Sequence, residues 1–336
     1  MKEISPKIYQ CEIPLPENPL KSLNCYVIKG KERNLVIDTG FNRKECRDAF
    51  FTYMDDLNID LRRTDIVITH LHSDHSGLAS ELYQKGARLY FSQGDGDMTK
   101  IESSNQKWEG PYALMKLFGF EESDDFFDRH PGKAYGSTDS FEFTPLQEDD
   151  QVGIDEYQFR VVSVPGHTPD IINLYDEKKK IYFSGDHVLN VITPNIAFWG
   201  FHHPVILEQY FKSLRKTYDF DIELMLPSHR SLIKDHRKRI DELLEHHRHR
   251  LDEVVRVLQE TNRELTVQEI AARMQWRIKA KDWDDFPDAQ KWFASSEAMA
   301  HLDYLVHYRK VTMKKRDGIM YFSADETVNL PSEALI

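Results

Sequence analysis

The 336-residue sequence predicts an α/β domain followed by a smaller, mainly helical domain. Three observations carry this expectation. Strand-like and helical runs alternate over the first ninety residues. Strand rhythm returns between residues 150 and 227. Beyond residue 234 the chain turns charged and helical and then closes on a short hairpin. The boundary is therefore expected at 235/236, giving domains 1–235 and 236–336.

The elements follow in order. Residues 23–28 and 35–38 read as strands around a turn at 29–32. A helix fits about 44–57. The apolar run 65–69 reads as a buried strand, 75–84 as a helix stopping at Gly86, and 88–91 as another strand. Residues 94–140 break this rhythm with scattered glycines and aromatics. Within them, 111–118 fits an amphipathic helix with proline in its first turn, and 121–125 an acidic solvated surface. This insertion is either a lid or substrate wall, with Trp108, Tyr112, Met115 and Phe118 facing substrate, or a peripheral excursion. Strands resume at 158–164, 171–175 and 181–184; a helix fits 205–218 and a last strand 222–226. A long charged helix is expected over 234–260, with His246, His247 and His249 solvated. Thr266 with Glu269 three residues later makes a capping box. A helix at 295–308 precedes two short strands joined at Arg316-Asp317-Gly318. Helix, helix and hairpin in that order is a winged-helix-like pattern.

Composition excludes several classes. No apolar stretch approaches the roughly 18 residues of a membrane span. The first residues show no signal-peptide core, so a cytoplasmic location is expected. Three cysteines, odd in number and without zinc spacing, argue against a disulfide framework, and Cys25 reads as a small buried residue. A net charge of −12 opposes non-specific nucleic-acid binding, though a local basic groove stays compatible with it.

The chemistry concentrates at Thr69-His70-Leu71-His72-Ser73-Asp74-His75, directly after an apolar run. Packing does not explain three imidazoles and a carboxylate at this density. Metal ligation does, and the number of donors suggests more than one ion. Four further islands place His or Asp after a β-rich run: Pro165-Gly166-His167-Thr168, Ser184-Gly185-Asp186-His187, Pro227-Ser228-His229 and, more weakly, Ile37-Asp38-Thr39-Gly40. A single histidine at a strand end is ordinarily hydrogen-bonded structure. Five histidines (His70, His72, His75, His167, His229) and two aspartates (Asp74, Asp186) together form a coherent set, that of a metal-dependent hydrolase.

These motifs resemble those of metallo-β-lactamase-fold hydrolases. His70, His72, Asp74 and His75 match the His-x-His-x-Asp-His motif; His167, Asp186 and His229 match its later members in order, over roughly residues 5–235. The resemblance implies an αββα sandwich with two divalent metals at one edge. It implies that His70, His72 and His167 hold one metal, that Asp74, His75 and His229 hold the other, and that Asp186 bridges them. Oxygen and nitrogen ligation suits zinc, with iron and manganese also compatible. Two cations ~3.5–4 Å apart would share a hydroxide that attacks a carbonyl or phosphoryl centre. Asp38 fits either a hydrogen bond to a ligating imidazole or a turn carboxylate. His187, next to the bridging Asp186, is not expected to ligate. His202 and His203 are candidates for orienting substrate or protonating a leaving group, with surface histidines as the alternative.

The later region narrows the resemblance to β-lactamase-like protein 2 and its bacterial relatives, which carry a similar extra domain. That subgroup divides between hydroxyacylglutathione-hydrolase-like thioester cleavage and endoribonuclease cleavage of RNA. A bridging aspartate is unusual in true β-lactamases of this fold, so a β-lactam substrate is not expected. The sequence departs from the family at Asp170, Ser228 and Arg230, where glycine is common. Acidic charge and an aromatic insertion favour a small ester or thioester substrate. The winged-helix-like domain favours RNA or another phosphodiester as the alternative, and a non-enzymatic DNA-binding regulator remotely. In related proteins this domain packs on the hydrolase core; the same packing is expected here, together with a homodimer.

Overall fold

The computed structural model describes residues 1–103, 108–121, 123 and 125–324. Glu122 and Asp124 of the acidic run, residues 104–107 and residues 325–336 lie outside them. The described chain forms two compact units. The first comprises residues 1–107, 131–194 and 213–239; the second comprises 108–130, 195–212 and 240–336. The segment 94–140 is thus shared between the two.

The first unit holds two sheets. A seven-stranded sheet runs β1 (Lys2–Ser5), β2 (Ile8–Pro14), β3 (Ser22–Ile28), β4 (Asn34–Ile37), β5 (Thr64–Val67), β6 (Arg88–Ser92) and β7 (Thr144–Leu146), in that spatial order. Pairing is antiparallel from β1 to β4 and parallel from β4 to β7. A five-stranded sheet contains β8 (Gln151–Ile154), β9 (Tyr157–Ser163), β10 (Ile172–Asp176), β11 (Ile181–Gly185) and β12 (Leu224–Pro227), with β11 and β12 parallel.

Side-chain alternation divides the core into layers. Tyr26, Ile28, Leu35, Ile37 and Val67 point inward and meet Phe159, Val161, Leu174, Phe183 and Leu226 of the other sheet. Their neighbours Cys25, Val27, Val36 and Ile66 point outward and pack on the helix α1 (Lys44–Asp56) through Cys46, Phe50 and Met54. This is the α/β sandwich that the sequence implies. All three cysteines are buried and free.

The expected helix 75–84 is two pieces, α2 (Ser73–Ser76) and α3 (Ala79–Gln84). They part at Gly77, where an added Cβ would sit 2.5 Å from both the Asn42 nitrogen and the Ser73 carbonyl oxygen. A helix not foreseen in sequence, α4 (Gln93–Ser103), follows β6.

The second unit contains α5 (Glu109–Phe118), the first half of α7 (Ile206–Tyr218) and most of the long α8 (His236–Thr261); α6 (Pro131–Tyr135) and the rest of α7 belong to the first unit. It continues with β13 (Leu265–Thr266), α9 (Val267–Ala271), α10 (Asp288–His307) and a hairpin of β14 (Thr312–Arg316) and β15 (Ile319–Ser323). Thr266 and Glu269 form the expected capping box. Helix α10 begins earlier than expected, directly after Pro287. The solvated placement of His247 is overturned: it is fully buried, in register with Leu243 and Leu251 on the apolar stripe of α8. Only His249 of the three is exposed. No helix among the described residues is long and apolar enough to cross a membrane.

Candidate metal centre

The sheet topology gathers the islands. Asp38 follows β4, Thr69 and His70 follow β5, His167 follows β9, Asp186 follows β11 and His229 follows β12. Parallel pairing of β4 with β5, and of β11 with β12, sends these loops out at the C-terminal ends of their strands. The seven expected donors, His70, His72, Asp74, His75, His167, Asp186 and His229, all belong to the first unit.

Their donor atoms form overlapping groups: His70, His72 and His167; His70, His75 and Asp186; and Asp74, His75 and His229. In the first group, Nε2 of His70 lies 3.1 Å from Nδ1 of His72, which lies 2.9 Å from Nε2 of His167. In the last, Nε2 of His229 lies 3.3 Å from Oδ2 of Asp74, and Nε2 of His75 lies 3.7 Å from that same oxygen. Asp186 faces both groups. Its Oδ2 is 3.6 Å from His167 Nε2, and its Oδ1 is 3.5 Å from His229 Nε2 and 3.7 Å from His75 Nε2. Nitrogen ligands of a tetrahedral zinc, each bonded at ~2.0–2.1 Å, stand about 3.3 Å apart, so these spacings fit.

Hydrogen bonding fixes which atoms face inward. Thr69 Oγ1 donates to Asp38, at 2.9 Å to Oδ2, so its oxygen accepts from Nδ1 of His70 at 3.1 Å. His75 Nδ1 donates to Asp38 Oδ2 at 2.8 Å. His229 Nδ1 donates to the Ser22 carbonyl at 2.8 Å. In each ring the proton is committed outward, which leaves the Nε2 lone pair aimed at the centre. Nε2 of His75, Nε2 of His229, Oδ2 of Asp74 and Oδ1 of Asp186 are buried with no hydrogen-bond partner. Four orphaned acceptors around one point are costly unless a cation satisfies them.

Electrostatics separates the two sides. Burial, then the neighbouring His75 and His167, pushes His70 well below the ordinary imidazole value. Burial and His167 push His72 down to about 3. Burial alone would also lower His75, but Asp38, Asp74 and Asp186 raise it well above the usual value. For Asp74, burial raises the carboxyl, and His75 and His229 overcome this to bring it down to about 2. Asp186 is lowered likewise, His229 and His75 outweighing burial. Of the seven, His72 alone is half-buried, so it marks the side open to solvent.

Asp38 joins the scaffold to the site. With φ at 60° it stands in the left-handed region, and besides His75 it accepts from the Thr69 amide and Ser228 Oγ. His187 points away, with Nε2 3.0 Å from Thr217 Oγ1. Arg230 has φ 67°, a conformation that favours the glycine common in the family. The other candidates fall in the second unit. His202 is exposed and its ring lies tilted against half-buried His203 at 4.1 Å; neither belongs to the donor groups. Met115 and Phe118 are buried, Phe118 stacking on Trp292 at 5.6 Å, while Trp108 and Tyr112 pack on Phe127. Sequence reasoning missed Asp95, buried in the first turn of α4. It too is an acid just after a strand, the signal that found the other islands.

The metallo-beta-lactamase superfamily model matches residues 19–229. The chain is 25% identical over 252 residues to a beta-lactamase-like protein 2 homolog from Caenorhabditis elegans, covering 75% of this chain and 70% of the relative. It is 23% identical over 280 residues to an atrochrysone carboxyl ACP thioesterase from Aspergillus fumigatus, covering 79% of this chain and 54% of that protein. The chain therefore spans about half the length of that thioesterase. In fold it is similar to a crystal structure of a metallo-beta-lactamase family protein from Thermus thermophilus. The TM-score is 0.82 at 22% identity, covering 96% of this chain and all of the other.

Proposed function

Because this chain belongs to the metallo-beta-lactamase superfamily, we propose that it is a binuclear metal-dependent hydrolase of a small thioester or ester. The observation that carries the reading is the convergence of outward-committed imidazoles and orphaned carboxylate oxygens on one point. His70, His72 and His167 would hold one divalent cation, most simply zinc; Asp74, His75 and His229 would hold the second; Asp186 would serve both. Such ions supply Lewis acidity and acidify water at neutral pH.

The chain's own residues do the rest. Asp38 and the Ser22 carbonyl keep His75 and His229 in the tautomer that presents Nε2 inward. Asp74 and Asp186, held ionised by the imidazoles beside them, supply negative charge to balance the cations. Substrate approaches over half-buried His72. The thioesterase among the relatives supports an acyl substrate, as does the acidic balance of the chain.

A second reading, RNA or phosphodiester cleavage, draws on the helix, helix and hairpin order of the second unit, which supports a winged-helix-like domain. Strand β14 is exposed along its length and carries Lys314, Lys315 and Arg316. Glu264 pairs with both Lys314 and Arg316, which reduces the free positive charge. A panel of acyl thioesters, lactones, bis-p-nitrophenyl phosphate and single-stranded RNA at fixed metal loading tests the ranking. Thioester or ester turnover above the others is expected. Robust RNA cleavage without acyl turnover would reverse it.

A further inference from the structure

Asp95 lies at the N-terminal end of α4, 1% exposed, outside every donor group. Its Oδ2 accepts two hydrogen bonds. One comes from the Leu71 amide at 3.0 Å, the other from Thr168 Oγ1 at 2.6 Å. Leu71 is the residue between His70 and His72; Thr168 follows His167. One buried oxygen therefore joins the two loops that carry these three histidines. Its own carbonyl accepts from Thr99 Oγ1 at 2.7 Å, which anchors the turn from which it projects.

A second clasp lies beside the first. Asp170 Oδ2 accepts from the Gly94 amide at 2.7 Å, tying the loop after His167 to the same helix start. A Cβ on Gly94 would stand 2.9 Å from that oxygen, so a side chain there would push Asp170 aside. This gives a physical role to Asp170, a departure from the family pattern. Carboxylates at a helix start are also favoured by its partial positive charge. By contrast, His75 is tied to Asp38 and His229 to the Ser22 carbonyl, with no contact to Asp95 among their hydrogen bonds.

We infer that Asp95 is a positioning residue for the half-site of His70, His72 and His167, fixing the separation of its two loops and hence the affinity of that half-site for a divalent cation. The inference rests on the metal-binding reading above. Charge-assisted bonds to one carboxylate oxygen are short and directional, so truncating it frees both loops together.

The test loads full-length wild type, Asp95→Ala, Asp95→Asn and Thr168→Val with Co2+. It compares metal content, visible d–d absorption and resistance to a chelator. In Asp95→Ala one of the two equivalents should be held about ten- to a hundredfold more weakly, the range typical of an outer partner of a ligand, with a changed spectrum. Asp95→Asn should recover most of both, because an amide oxygen has two lone pairs for Leu71 and Thr168. Thr168→Val should fall between. Unchanged spectra and chelator resistance in Asp95→Ala and Thr168→Val, beside a wild type that binds two equivalents, would overturn this inference alone. Parallel weakening of both equivalents would overturn its restriction to one half-site, and with it the inference. If Asp95→Ala fails to fold, Thr168→Val decides: wild-type behaviour overturns the proposal, selective weakening supports it. A wild type that binds no Co2+ would overturn the metal reading itself and this inference with it.

Discussion

Two groups of buried histidines differ in where their lone pairs go. In the second unit, His301 Nδ1 donates to the Glu297 carbonyl at 2.7 Å, so its Nε2 accepts from His247 Nδ1 at 3.0 Å. The rings stack at 24°; the pair rests on backbone at His301, while Nε2 of His247 stands buried without a hydrogen-bond partner and, among the described residues, with no carboxylate or second acceptor grouped with it in a donor cluster. In the first unit the rings of His70, His75 and His229 commit Nδ1 outward, and their Nε2 atoms converge beside Asp74 and Asp186. Burial is as complete in both groups, since His70, His75, His229, His247 and His301 are all 0% exposed. Burial therefore does not make a site. Convergent, unsatisfied acceptors with carboxylates among them do. Titration follows the carboxylates rather than burial: burial lowers His247, His301 and also His70, whereas nearby carboxylates raise His75 and His229.

The contrast is sharpened by substitution. Asp186→Ala removes the carboxylate that faces both half-sites, and turnover should fall by about 10³-fold or more, as for loss of a group that acts with its neighbours as a unit. Steady-state kinetics on the best substrate of the panel checks this; a loss under tenfold would break the assignment. Asp38→Asn should weaken metal retention by about ten- to a hundredfold, read by chelator competition, because the amide cannot accept from His75, Thr69 and Ser228 as the carboxylate does. His301→Gln interrupts the second group. A cost of about 1–3 kcal/mol from the buried donor left unsatisfied should appear in urea unfolding, with metal content unchanged. Metal loss in that variant would erase the distinction between the groups.

The smallest effect is one of pH. Burial pushes His301 down to about 3. Between the ordinary imidazole value of about 6.5 and that point, the unfolded chain takes up a proton that the folded chain refuses. Stability is thus full above the window and falls as pH drops through it, by up to about 1.4 kcal/mol per pH unit for one imidazole. Urea midpoints at pH 7 and pH 5 should show a shallower loss in His301→Gln than in wild type. Equal slopes would mean that His301 titrates alike in both states.

Much of the candidate site was legible because its donor residues follow strands, where local pattern and chemistry coincide. The His70–His75 run, His167, Asp186 and His229 all stand where an apolar run ends. The capping box at Thr266 was legible for the same reason, both partners being three residues apart. Asp95 was not, because two flanking glycines hid the helix that carries it, and its partners Leu71 and Thr168 are 24 and 73 residues away. His247 was misplaced because the charges around it outweighed a single spacing signal, four residues from Leu243 and four from Leu251. The strands β1 and β2 are not legible in sequence, since Lys2–Ser5 buries no residue fully and Ile8–Pro14 alternates too irregularly to stand out.

The most direct measurement is the metal content of the purified chain followed against turnover during stepwise chelation and re-addition of zinc. About two equivalents per chain, with turnover lost as they leave and regained as they return, is the expected result. Full turnover in metal-free protein would contradict the assignment of His70, His72, Asp74, His75, His167, Asp186 and His229 as one binuclear centre.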